Sequence, residues 1–376
     1  EVISVNDNIF TSLGGIAIGE SFFQLGSYFN GRTGLLNNIA GILTNPIMVI
    51  NRLLDKNRGY SYAVPDKRLM TVYFGSYFSM EDREAEAKSR NHFIGFQSSL
   101  TYLPRIIETG KLQKRIKGLA ISEVDLNLEL TEKGIMDEMN VNSRNMYNGS
   151  YTHHIRKYED DRIWGHSMFY SLISGYDFYK EKSIAPYDSD AEYKYIDESM
   201  LVETPTRFTD KLAVINIIGP YMEWQYYFGK WKLMLTNAVT LDFALVNAFA
   251  LNTYTETGDV SYTKATLYNY GYYYGLGFTL NSRFHLSYGN IYLNLAYKYQ
   301  DYNSIEGIDR FQEELINDFN IHDRRGIFNA EFGMRFTILP IGLKLKMENR
   351  YRWGSLRDTI RRERETKVYM RVELLL

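Results

Sequence analysis

The segment IYLNLAYKYQ, residues 291–300, decides the fold. Ile291, Leu293, Leu295, Tyr297 and Tyr299 alternate with Tyr292, Asn294, Ala296, Lys298 and Gln300. Successive side chains of a strand point to opposite faces, so this period of two gives one oily face and one polar face. Three later segments repeat it. Phe328, Ala330, Phe332, Met334 and Phe336 oppose Asn329, Glu331, Gly333, Arg335 and Thr337. Leu343, Leu345, Met347 and Tyr351 oppose Lys344, Lys346, Glu348, Arg350 and Arg352. Val368, Met370, Val372 and Leu374 oppose Lys367, Arg371 and Glu373. Greasy outside and charged inside is the pattern of a transmembrane β-barrel.

Composition agrees. The longest apolar runs of the 376 residues fall short of the roughly 20 that a membrane-spanning helix needs, whereas a barrel strand needs only about 9–11. Tyr and Phe are frequent, at 32 and 21, and aromatics gather at both interfaces of a membrane barrel. A formal net charge of -2 gives no global pull toward nucleic acid, and none is expected as a partner. The absence of cysteine excludes a disulfide scaffold, a thiolate metal site and a cysteine nucleophile. An outer-membrane protein needs a signal peptide and none precedes Glu1, so the chain is read as mature or trimmed at its start.

Residues 1–66 read as helical and 67–376 as the barrel. Asp7 is placed as the N-cap of a helix reaching about Tyr28, with Ile9, Leu13, Ile16, Glu20 and Phe23 on one face. Gly15 and Gly19, one turn apart, would admit a close backbone neighbour. A second helix follows Thr33. The third opens at Asn45-Pro46, Asn as cap and Pro at the first helical position, and carries Asn51 and Arg52. Glu20 paired with Arg52 would pin the first helix to the third as a plug in the lumen or a periplasmic cap.

About twelve antiparallel strands are expected, near 68–79, 91–103, 118–131, 144–157, 163–180, 212–228, 231–251, 265–282, 284–303, 325–338, 341–353 and 365–376. Tight links at Gly229-Lys230, Gly289-Asn290, Leu339-Pro340 and near Glu159-Asp160 alternate with long ones at 181–210, 252–264, 304–324 and 354–364. Segment 104–117 breaks the alternation and is read either as a small periplasmic helix or as a slip in the strand count. No internal repeat or low-complexity tract interrupts the chain.

The helical opening, NDNIFTSLGGIAIGESFFQLGSYF followed by GLLNNIAGILTNPIMVINRLLD, resembles a family of Gram-negative outer-membrane proteins catalogued as a domain of unknown function. The residues that carry the resemblance are Asn6-Asp7, Gly14-Gly15, Gly19-Glu20, Asn45-Pro46 and Asn51-Arg52, with the Tyr-Gly-rich stretch LYNYGYYYGLGFTLNSRF further on. It implies an outer-membrane location and supplies no activity.

No P-loop, HExxH, GxSxG or dinucleotide fingerprint occurs. Of six histidines, His166 beside Ser167 is the sharpest catalytic candidate, for a lipid-modifying hydrolase of the outer membrane. Adjacent strand residues point apart, however, and His166 shares its face with Trp164, Met168 and Tyr170, as a girdle histidine would. His153 and His154 oppose their rings in the same way. Asp188, Asp190 and Glu192 lack the spacing of a calcium loop, so no metal or cofactor is expected.

The inward charges form the better-founded constellation: Glu331, Arg335, Lys344, Lys346, Glu348, Arg350, Arg352, Lys367, Arg371 and Glu373 on one wall, Glu123, Asp125 and Glu129 on another. Charges of both signs at cross-strand spacing pair, at roughly 0.2–1 kcal/mol each. The expected protein is therefore a non-enzymatic barrel with a crowded, charged lumen, acting as a structural or accessory subunit or as a restricted solute or lipid conduit. The alternative is the hydrolase. Outer-membrane lipid and a protein of the envelope are the expected partners.

Overall fold

The computed structural model describes residues 5–30, 34–54, 67–81, 89–102, 112–130, 136–158, 162–181, 210–247, 249–250, 272–305, 307–310, 315–317, 321–336, 339–356 and 359–375. Three helices come first: α1 (Val5–Asn30), α2 (Leu35–Thr44) and α3 (Pro46–Leu54). The strands are β1 (Lys67–Glu81), β2 (Ser89–Tyr102), β3 (Leu112–Leu130), β4 (Met136–Lys157), β5 (Ile163–Glu181), β6 (Asp210–Gly229) and β7 (Trp231–Asn247). There follow β8 (Tyr272–Tyr288), β9 (Ile291–Ser304), β10 (Gly307–Arg310), β11 (Leu315–Asn317), β12 (Ile321–Arg335), β13 (Ile341–Leu356) and β14 (Thr359–Leu375).

Twelve of the strands close into an antiparallel barrel, in the order β1-β14-β13-β12-β9-β8-β7-β6-β5-β4-β3-β2. β10 and β11 pair only with each other. Closure satisfies every backbone polar group between strands, the condition for spanning hydrocarbon with β-structure. An even number of antiparallel strands puts the start of β1 and the end of β14 at one mouth, the turn end. The opposite mouth is the loop end.

Alternation sorts the wall. Phe74, Phe78, Ile94, Trp224, Leu276, Phe332, Leu345 and Met370 stand exposed on the outside, while Tyr77, Glu129, Glu138 and Lys367 are buried within. An outward aromatic chain at the turn end, Trp224–Tyr226–Phe228–Trp231–Tyr288, has centroid spacings of 6.4, 6.1, 6.0 and 4.8 Å. It has the place and composition of an interfacial girdle.

Several boundaries depart from the sequence expectation. The hairpin turn after β8 lies at Gly289-Asn290 as its φ > 0 dipeptide demands, so β8 runs to Tyr288 and no break falls at 282–284. The expected long link 354–364 is strand: β13 and β14 stay paired to Leu356↔Thr359. Residues 112–117 are strand rather than helix, while 104–111 lie outside the described residues. β4 begins at Met136, well before 144; Ser143, Arg144 and Asn145 are polar on both faces, and this break in the period of two hides the first half of the strand. The reason for that double polarity is α1.

α1 is neither a plug nor a cap. Ser143 and Asn145 belong to the outer face of β4, since Glu138 and Arg144 of the same strand reach Arg350 and Asn281 across the lumen and Asn142 bonds its inward-facing neighbour Asp177 on β5. Both are nonetheless fully buried, beneath α1. The helix crosses the outside of the barrel diagonally. Near its start, Gly14 lies against Ile215 and Tyr176 toward the loop end. Near its finish, Leu25 and Tyr28 pack on Met70 and Leu100 at the turn end.

Candidate functional site

Two constructions stand out: the filled lumen and the helix-covered outer wall. In the lumen, Lys367 Nζ lies 2.6 Å from Glu138 Oε2, 3.1 Å from Glu129 Oε2 and 3.3 Å from Glu365 Oε1. Arg350 grips Glu138 with both terminal nitrogens, at 2.6 and 2.7 Å, contacts Glu348 and donates to Tyr179 Oη at 2.9 Å. Tyr369 Oη donates to Glu129 at 3.0 Å. The bonds to Glu129 and Glu138 leave β13 and β14 and land on β3 and β4, with β1 and β2 between them in the sheet, so they cross the interior.

Toward the turn end a second group forms: Lys344 bridges Glu331 at 3.1 Å and Glu373 at 2.8 Å, and Arg371 lies 2.7 Å from Glu373. The Arg371 guanidinium also sits 3.3 Å over the Tyr73 ring, whose hydroxyl donates to Asp125 at 2.8 Å. A third tie, Lys298–Asp177 at 2.6 Å, joins β9 to β5. Buried charges persist in a low-dielectric interior when they are paired, and each of these has an ion-pair partner.

The loop end is closed differently. Leu212, Val214, Ala244, Val246, Tyr273, Tyr302, Ile321 and Leu356 form an apolar core inside the mouth, together with Ala250. Phe249 is buried between arginines, with Arg352 4.2 Å and Arg361 4.9 Å from its ring centroid. Its amide donates to Asp323 at 3.3 Å, and Tyr273 Oη donates to the same carboxylate at 2.9 Å. The chain after β7 thus folds inward as a stopper made by the barrel's own residues.

On the outer wall, the face of α1 that meets the barrel is small or polar at Gly14, Ala17 and Ser21 and large and apolar at Leu25 and Tyr28. Ser21 Oγ is 2.6 Å from Ser143 Oγ and donates to Asn145 Oδ1 at 2.9 Å. Ser143 Oγ and Asn145 Nδ2 donate to the Ala17 carbonyl at 3.3 and 3.0 Å. Such groups cannot be left in hydrocarbon, so each half of this seam requires the other.

The sequence candidates fall as follows. Glu123, Asp125, Glu129, Glu331, Arg335, Lys344, Lys346, Glu348, Arg350, Arg352, Arg371 and Glu373 all lie on the inner-face register. The apolar stripe of α1 divides: Ile16 and Phe23 point away from the wall, 69% and 49% exposed, while Leu13 packs toward Ile215 and Phe243. Gly15 and Gly19 have nothing near them; the close approaches are at Gly14, Gly26 against Asn45, and Gly41 against Asn30. Glu20 accepts from Gln24 Nε2 at 2.7 Å, and the Arg52 side chain lies outside the described residues. Asp7 sits inside α1 rather than at its cap. Asn45 caps α3, its Oδ1 accepting from the Met48 amide at 3.0 Å ahead of Pro46, and Asn51 is exposed on that helix.

His166 and Ser167 separate to opposite faces, His166 outward and Ser167 buried inward, and the geometry assembles no nucleophile–base pair from them. His154 faces out with His166, ring centroids 5.0 Å apart, while His153 is buried inside. Asp188, Asp190 and Glu192 lie outside the described residues. Sequence reading missed Glu138 because it fell before the strand as then bounded. It missed the Ser143–Asn145 seam because a polar outer face reads as irregular chain.

Comparison with family models and with curated sequences gives no match. Among solved structures the chain is similar to a loop L8 deletion form of OmpT, an outer membrane protein of Vibrio cholerae (7% identity over 82% of this chain and 99% of that one, TM-score 0.27). It is also similar to the translocator domain of the autotransporter NalP from Neisseria meningitidis (8%, 89% and 95%, TM-score 0.24). A third is an outer membrane channel from Pseudomonas putida F1 (8%, 85% and 99%, TM-score 0.28). Likeness at this level carries no argument about activity; the barrel rests on the strand register itself.

Proposed function

We propose that the protein is a sealed β-barrel of the bacterial outer membrane with a structural or accessory role, whose working surface is its outer wall. The observation that carries this reading is the Lys367–Glu138–Arg350 network, which ties facing walls together across the lumen. Moving a solute past it would mean separating buried, bidentate charge pairs, at several kcal/mol for each ion left unpaired. The outer-membrane location is supported by the closed, even-numbered barrel with an apolar exterior. A protein partner in the envelope is supported by α2 and α3, which leave Leu35, Leu43 and Ile47 about three-quarters exposed at 76%, 77% and 69%.

Planar-bilayer recording tests the reading. The purified chain should show no conductance steps, and neither should a form lacking residues 1–60, because the helices lie outside the lumen. Steady steps from the intact protein would refute it. Steps from the truncated form alone would also refute the sealed lumen, and would mean that the helices hold the wall closed from outside.

A further inference from the structure

The outer wall at the loop end of β12–β14 departs from the apolar pattern in a regular way. In one cross-strand row stand Asp301, Arg324, Trp353 and Arg362; in the next toward the turn end stand Tyr299, Gly326, Tyr351 and Arg364. Arg324, Arg362 and Arg364 are all exposed on the outer face. The row beneath, Phe328–Asn349–Thr366, is mixed, with Asn349 hydrogen-bonded to Thr366 at 2.9 Å, and the rows below it are apolar: Ala330–Met347–Val368, Phe332–Leu345–Met370 and Met334–Leu343–Val372.

Height places this patch. From Leu343 to Trp353 is ten residues; at about 3.3 Å per residue and a tilt near 40°, that is about 25 Å along the membrane normal. An apolar band about 25 Å tall is the hydrocarbon thickness that barrels match. The arginines therefore sit where the acyl chains end and the headgroups of the loop-side leaflet begin.

The side chains there are partly prepared. Arg324 Nε lies 3.0 Å from Asp301 Oδ2, its guanidinium 5.0 Å from the Trp353 ring centroid. Asp301 is also held by Tyr299 Oη at 3.0 Å and lies 2.5 Å from His322 Nε2, whose ring meets Trp353 edge-on. Arg364 Nε donates to Asn349 at 3.3 Å. Among the described residues of these two rows, three guanidinium groups stand with one carboxylate, and Arg324 is paired with it. Guanidinium forks match phosphate oxygens in pairs, and Trp and Tyr supply the amphipathic flank that an interface favours.

We infer that Arg324, Arg362 and Arg364, around Trp353 and Tyr351, form a binding site for the phosphate groups of a phosphorylated glycolipid in the outer leaflet. Acyl chains would lie on the apolar rows beneath, with the sugar-borne phosphates at the arginine rows. The inference deepens the outer-membrane reading and rests on it for the identity of the leaflet.

Native mass spectrometry of the full chain tests it, after incubation in detergent with bis-phosphorylated lipid A, its fully dephosphorylated form, or phosphatidylcholine. The wild type should retain the bis-phosphorylated lipid and neither of the others. R362Q/R364Q and R324Q should each lower retention at least about tenfold, as loss of a charge-assisted hydrogen bond implies. R156Q, at an exposed arginine of the turn end, should leave it unchanged. Equal retention by R362Q/R364Q, equal loss in R156Q, or retention of the dephosphorylated lipid would overturn the site. Retention is read in vitro, so it decides the site whichever membrane the protein joins on a density gradient; fractionation away from the outer membrane would sink the location alone.

Discussion

Lys367 and Glu138 meet across the interior of the barrel, Nζ to Oε2 at 2.6 Å, although 229 residues separate them in the chain. Both are almost wholly withdrawn from solvent, at 2% and 0% side-chain exposure. Removing one member of such a pair strands the other, at about 3–5 kcal/mol. Lys367→Met should therefore lower the unfolding midpoint in urea, read by the heat-modifiable shift on gels. The double variant K367M/E138Q should recover part of the loss. A double variant no better than the single would argue that Arg350 already satisfies Glu138 and that the loss falls on Glu129 and Glu365.

The α1 seam makes a separate demand. Ser21→Ala leaves Ser143 and Asn145 short of a partner under the helix, a cost of about 1–3 kcal/mol. The expectation is faster hydrogen exchange over residues 5–30 with little change in the barrel strands. Uniform loosening of both would contradict the picture of a helix laid on a finished wall.

Phe249 closes the loop end without being the only barrier. Phe249→Ala should cost about 3–5 kcal/mol, the range for a buried aromatic, and should ease proteolysis at the loop after β7. It should still show no current in a planar bilayer, because the Lys367–Glu138–Arg350 layer lies below it. Current from this variant would make the stopper a gate.

Gly95 and Gly333 are overlain by the rings of Tyr73 and Tyr292 from neighbouring strands. A Cβ at either position runs into the ring, so Gly95→Val should destabilise by about 1–3 kcal/mol through overpacking. The pairing Y73A/G95V should be milder than the sum of the two single changes, measured by the same urea midpoint.

The legibility of each part follows from its period. Ile291–Tyr299, Phe328–Phe336 and Leu343–Tyr351 announce strand and face together, because one environment is hydrocarbon and the other is not. The inner-face charges from Glu123 to Glu373 follow from the same parity, without any knowledge of their partners. The α1 stripe misled for a physical reason. In water the apolar face of a helix turns toward the protein; beside lipid, Ile16 and Phe23 turn outward and Ala17 and Ser21 turn in.

What the sequence determined by itself was the transmembrane barrel, its strand parity and the sign of charge on each inner wall, since these are local consequences of a two-residue period. Only the tertiary structure decided that Lys367 meets Glu138, that Phe249 stops the loop end and that α1 lies outside on Ser143 and Asn145. Those contacts join residues from opposite sides of a closed sheet or from a helix to a wall. Which partner each finds depends on closure, and closure has no local signature.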